Sequence, residues 1–241
     1  MTREFIFVDN TSTDNSAKII DQFIKNSFLD ARLVSSKKKG VLSAFRRGIA
    51  EKKYSGFVGK FDADIILHPH VLDLMQMHLV ETPAAKVTYA EPLPLENLSI
   101  YNLPWFSPKA MSKRLYFTGK TSLYRNNPHA DPDISRMPGD LVVDDIFPSF
   151  YYVYYYGFES ISRAPHAFVY EKVAGNFTDL VSQISRAESE IKRIFAIYPH
   201  LRLLGNIMDQ EVYDNSYKSL LNRARKQTTY LKEWARLEST K

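Results

Sequence analysis

Through its first ninety residues the chain switches repeatedly between short β-rich runs and helical periodicity, and few folds accept that alternation. Residues 4–8, Glu-Phe-Ile-Phe-Val, predict a strand that Asp9-Asn10-Thr11-Ser12 ends as a turn. Ala17, Ile20, Phe23 and Ile24 share one helical face, which predicts a helix capped by Ser12 or Thr13. Residues 31–35 predict a second strand, and Lys37-Lys38-Lys39-Gly40 leads into a helix through Leu42, Phe45, Ile49 and Ala50. A third strand over 57–61 runs straight into Asp62-Ala63-Asp64. Pro69 suits the first turn of a helix carrying Val71, Leu72, Leu74 and Met75, and 87–90 predicts a fourth strand. The expected class is therefore α/β, a mostly parallel central sheet flanked by helices.

Regularity fades from Glu91 to Lys113, where Pro92, Pro94, Pro104 and Pro108 predict a long loop around the site. Residues 115–124 are β-rich, and 125–140, with three prolines, read as loop. A helix is expected from Asp144-Asp145, with Pro148 in its first turn and Gly157 at its end. A strand over 158–163 and helices from Thr178 onward complete the pattern. The aromatic set Tyr151 to Tyr156, with Trp105 and Phe106, either packs in the core or lines an acceptor pocket for a sugar or lipid.

Charge divides the chain further. From residue 192 to 241 there are ten Lys or Arg against five Asp or Glu, an excess equal to the net charge of +5 for all 241 residues. We therefore expect residues 1–190 as one domain and 191–241 as a basic helical extension. Such a tail suits an anionic partner, either acidic lipid or nucleic acid, or is simply a solvated face. Without a recognisable nucleic-acid module, no nucleic-acid partner is expected. Residues 191–204 mix apolar and basic positions, as an interfacial helix does, although Pro199 interrupts them. Arg3, Glu4, Asp9, Asp14 and Lys18 make the start unlike a signal peptide, and no apolar run reaches the ~18 residues of a spanning helix. A cytoplasmic protein is expected, its tail offered to the inner face of the membrane. The absence of cysteine excludes a thiol nucleophile, a disulfide framework and a thiolate zinc site.

The sharpest chemical feature is Asp62-Ala63-Asp64, because open α/β sheets bind ligands beyond the carboxyl ends of their strands. Two carboxylates there offer hard oxygens to Mg²⁺ or Mn²⁺ bridging a substrate's phosphates. A turn that merely contains two acidic residues is the plainer alternative. His68-Pro69-His70 is spaced too tightly for a zinc motif and reads as a helix start.

Five segments in order carry a resemblance. They are Phe5 to Asp14, Lys39-Gly40 through Gly48-Ile49, Asp62-Ala63-Asp64 with Pro69, Leu141 to Asp145, and Gln183-Ile184-Ser185-Arg186. Together they resemble the family 2 glycosyltransferases, which have the GT-A fold. The resemblance implies an inverting, metal-dependent transferase that moves a sugar from a nucleotide-diphosphate sugar to a glycan or lipid-linked acceptor, as in cell-envelope polysaccharide synthesis. It implies Asp64 as the ligand of a Mg²⁺ or Mn²⁺ ion, with Asp62 on the metal or the ribose. Asp9, Asn10, Ser12, Lys39, Arg46 and Arg186 would bind the donor, and Gln183 would lie on the acceptor side with Trp105. Asp145 is the expected general base and Asp144 the runner-up, which can instead cap a helix.

Three departures from the family pattern stand out. The strand and helix that usually precede the position of Phe5 are not in this sequence. Asn10 stands where an acidic residue is common, and Ala187 stands in place of the Trp of Gln-x-x-Arg-Trp. A non-catalytic GT-A-like binding module, or a truncated and inactive homologue, is the alternative expectation.

Overall fold

A computed structural model of the chain describes residues 3–54, 56–95, 120–127, 145–171 and 177–204. The chain divides into two compact units, residues 1–58 with 125–144 and residues 59–124 with 145–241. Asp144, Trp105, Phe106, the proline-rich loop from 128 to 140 and the basic segment from 205 to 241 lie outside the described residues.

In the first unit, β1 (Phe5–Asp9) and β2 (Ala31–Ser35) pair in parallel, with Phe5 opposite Ala31 and Asp9 opposite Ser35. Helices α1 (Ser16–Asn26) and α2 (Val41–Glu51) pack on this pair. Phe23 of α1 meets Phe7 edge-on at 6.0 Å, so the predicted apolar face is the one used. Gly48 lets α2 approach β1 closely, since a Cβ there would lie 3.3 Å from Val8. Neither Ser12 nor Thr13 caps α1, contrary to expectation. The helix begins three residues later at Ser16, whose N–H is held by Asp14 Oδ1 at 2.9 Å. Ser12 is already engaged by the turn, its N–H donating to Asp9 Oδ1 at 3.2 Å.

The second sheet has the order β3 (Gly56–Phe61), β6 (Thr121–Asn126), β5 (Val87–Pro94), β7 (Ile161–Glu171) and β4 (Ile65–Leu67). Strand β5 is parallel to β7 but antiparallel to β6, and β4 is antiparallel to β7. The sheet is thus mixed rather than mostly parallel. Two antiparallel pairings make it so, β6 on β5 and β4 on β7. Strand β5 runs four residues beyond the predicted Ala90, through Pro92 and Pro94. Leu95 donates its N–H to Glu171 O, so strand alternation turns the donor-less Pro92 and Pro94 away from β7. In β7, residues Ala164 to Ala167 stand opposite Ala90 alone, a bulge with His166 at φ 60°.

Helix α3 (Val71–Glu81) lays Val71, Met75 and Leu79 against β5 and β7. His70, rather than Pro69, is its first flanking residue. Helix α4 (Ile146–Tyr156) begins and ends as predicted, with Pro148 in its first turn and Gly157 closing it at φ 80°. Its first half is buried almost all round, through Ile146, Phe147, Phe150, Tyr152 and Val153. Phe150 meets Phe195 of α5 (Phe177–Ile197) at a ring distance of 5.3 Å. The Tyr run is therefore split: Tyr152 is core, whereas Tyr154, Tyr155 and Tyr156 are exposed. Helix α5 continues without a break past residue 190, and Ile194 and Leu201 are buried.

Candidate functional site

Residues singled out in the sequence occur in both units. In the first, Asp9, Asn10 and Ser12 lie at the carboxyl end of β1, where Thr11 takes a left-handed φ of 59°. For a β-branched residue that conformation is costly and marks a tightly specified turn. Ser36 donates its N–H to Asp9 O at 2.8 Å, so the turn after β2 is tied to the same edge. Lys39 follows in that turn, exposed, and Gly40 opens α2 at φ 128°. Arg46 is exposed on α2. Asn10 Oδ1 is buried and accepts no hydrogen bond among the described residues. A buried acceptor left without a donor is costly in a native protein, and a bound water, ion or ligand can supply one.

In the second unit, Asp62 and Asp64 follow β3 and converge on one ammonium. Lys120 Nζ lies 2.9 and 2.8 Å from the two oxygens of Asp64 and 3.7 Å from Asp62 Oδ2. Glu171, buried at the end of β7, places Oε2 at 3.9 Å from the same nitrogen. Lys60 Nζ holds the other oxygen of Asp62, Oδ1, at 2.5 Å. Burial pulls the Lys120 pKa down, yet the hydrogen bond with Asp64 and the charges of Glu171, Asp62 and Asp64 outweigh it. The amine is held above the ordinary lysine value and stays charged. Asp64 remains largely open, with its side chain 65% exposed, so the cation position faces solvent.

Asp145 sits just before α4 and is 2% exposed. Its carboxylate does not cap the helix, while its main-chain oxygen accepts from Ser149 N–H. Arg186 is exposed on α5, and Gln183 lies one turn earlier on the same helix. Sequence reading missed Lys120, Lys60 and Glu171. Lys60 is adjacent to the motif and could have been suspected; Lys120 and Glu171 come from β6 and β7 and carry no local signal.

Among the described residues, no three His, Cys, Asp or Glu side chains form a ready-made metal cluster. Two carboxylates nevertheless fit Mg²⁺ or Mn²⁺, which are commonly held by one or two carboxylates plus substrate phosphates. The cation that Asp62 and Asp64 already hold shows that their oxygens point to a common place.

The sequence profile described as Glycosyl transferase family 2 matches residues 1–137. No curated protein matches the chain. Among solved structures, the fold is similar to a mannosyltransferase from Pyrobaculum calidifontis in complex with GDP-Man and Mn²⁺. The TM-score is 0.58 at 17% identity, covering 82% of this chain and 55% of that one. Glucosyl-3-phosphoglycerate synthase from Mycobacterium tuberculosis, with Mn²⁺, UDP-glucose and phosphoglyceric acid, gives a TM-score of 0.51 at 15% identity over 79% and 67%. TarS 1–349 from S. aureus, with UDP-GlcNAc, gives 0.53 at 17% over 74% and 52%. The chain thus spans between half and two thirds of the length of these structures.

Proposed function

The chain belongs to glycosyl transferase family 2, and from that premise we propose that it moves a sugar from a nucleotide-diphosphate donor to an acceptor hydroxyl, with inversion. The observation that carries this reading is the convergence of Asp62 and Asp64 on one solvent-facing cation position. A divalent ion bound there supplies Lewis-acid stabilisation of the leaving diphosphate. The chain's own residues supply the remaining roles. Asn10 Oδ1 accepts an N–H from the nucleotide base, a donor it lacks among the described residues. Lys39, Arg46 and Arg186 offer positive charge to the phosphates. Asp145 takes the proton of the acceptor hydroxyl, and Gln183 and Trp105 contribute on the acceptor side. The acceptor is a glycan or a lipid-linked sugar, and the basic C-terminal segment holds the enzyme at an anionic membrane surface.

Titration calorimetry with UDP-glucose, UDP-GlcNAc and GDP-mannose, with and without Mn²⁺, tests the reading. One donor is expected to bind in a Mn²⁺-dependent way, and Asp64→Ala to abolish that dependence. Asp145→Asn should retain donor binding and lose transfer. The depth of Asp145 favours a second reading, a module that binds a nucleotide sugar without turning it over, since a base must reach its acceptor. Donor binding without transfer to any acceptor by the wild-type chain would select it.

A further inference from the structure

We propose that Lys120 is the resident counter-cation of the Asp62–Asp64 pair, and that a divalent ion enters the site by exchanging with it. This rests on the metal-binding role given above to that pair. Lys120 spends its ammonium on the oxygens a metal would use, reaching both atoms of Asp64 and facing Asp62 Oδ2. Two cations cannot share those oxygens at contact distance without strong repulsion. The backbone of Lys120 is fixed beside the motif, because its carbonyl accepts the N–H of Asp62 at 3.0 Å. Its flexible four-carbon stem, however, leaves the ammonium free to move. Glu171 Oε2, 3.9 Å away, offers a second carboxylate towards which the displaced ammonium can turn.

Charge supports the exchange. Asp62, Asp64 and Glu171 carry three negative charges against the two ammoniums of Lys60 and Lys120. Removal of the Lys120 charge, as by Lys120→Met, would leave the cluster at two negative charges, the match for a divalent ion. Lys60 does not compete in the same way, since it holds Oδ1 of Asp62 and leaves Oδ2 facing Lys120. Lys120 is thus a positioning residue: it lowers the site's metal affinity and keeps the carboxylates in place when no ion is bound.

Mn²⁺ titration followed by electron paramagnetic resonance, on the full chain without donor, tests this. Lys120→Met should bind Mn²⁺ about tenfold more tightly than wild type, the scale of one lost charge-assisted competitor. Lys120→Arg, which keeps the charge, should show no such gain. Mn²⁺ should also raise the melting temperature of Lys120→Met by more than that of wild type, because the ion replaces the missing ammonium. If the methionine variant does not fold in chelator, Lys120→Gln serves in both measurements. Equal or weaker Mn²⁺ binding by a folded Lys120 variant, with wild type binding measurably and Asp64→Asn not, would overturn the exchange alone. Absence of Mn²⁺ binding in wild type and variants alike would overturn the metal site itself.

Discussion

At the scale of single residues, Asn10 and Glu4 differ in whether a cation faces the side chain. Asn10 Oδ1 is buried and has no donor among the described residues, and its partner is expected from the ligand. Asn10→Ala should weaken nucleotide-sugar binding by roughly tenfold, as loss of one buried hydrogen bond does, while leaving the melting temperature nearly unchanged; calorimetry and a thermal melt check both. Glu4 is paired by charge: Arg32 Nη2 lies 2.9 Å from Oε1 in an ion pair, and the Lys53 N–H donates to Oε2 at 2.9 Å. Burial raises its pKa, but the Lys53 N–H and the Arg32 guanidinium pull it further down, to a net value below 4.5. A carboxylate with a lowered folded pKa stabilises the fold above its ordinary value and loses that contribution as pH falls through the folded one. Denaturant melts should therefore show wild type losing more stability than Glu4→Gln as the pH is taken from neutral to below 4.5. The Asp62–Asp64 pair was legible in the sequence because both carboxylates sit in one short turn. Lys120 was not, because its approach to Asp64 spans 56 residues and depends on which strand lies next to β3.

Among the elements, those with a full helical or strand signal were readable, and those shaped by a neighbour were not. Strand β2 and helix α4 have the predicted bounds, since apolar content, Pro148 and Gly157 act locally. Strand β4 has three residues, too few to show periodicity, and exists through its pairing with Leu67 opposite Val169. Strand β5 was cut short in sequence reading by Pro92, whose lack of an N–H is harmless where the chain leaves β6. Helix α4 carries much of the second unit's core, and Phe150 on it is fully buried against Phe195. Phe150→Ala should cost about 3–5 kcal/mol, read from a shifted denaturation midpoint. Tyr155→Ala, on the exposed side, should cost little.

For the molecule as a whole, the basic C-terminal segment makes the most testable claim. Its apolar residues Ile194 and Leu201 are committed to the interior, so insertion into lipid is not available to them. Among the described residues no helix is long and apolar enough to cross a membrane. Attachment would then be electrostatic, about 1 kcal/mol for each Lys or Arg near an anionic leaflet, and screened by salt. The chain should sediment with anionic but not neutral vesicles, less so as salt rises. Replacing Arg223, Arg225 and Lys226 by Gln should weaken that binding.

The strand pairings also set a timetable. The β1–α1–β2–α2 segment closes its parallel pair with contacts between near neighbours in the chain. In the second sheet, β4 pairs Ile65 with Glu171 and β5 pairs Val87 with Ile161, so both wait for β7. Distant closures of this kind slow folding. During synthesis, β5 would emerge long before β7, leaving one of its edges bare in the interval. Such an edge invites pairing with another nascent chain. Refolding is expected in two phases, the slower one alone losing yield as protein concentration rises.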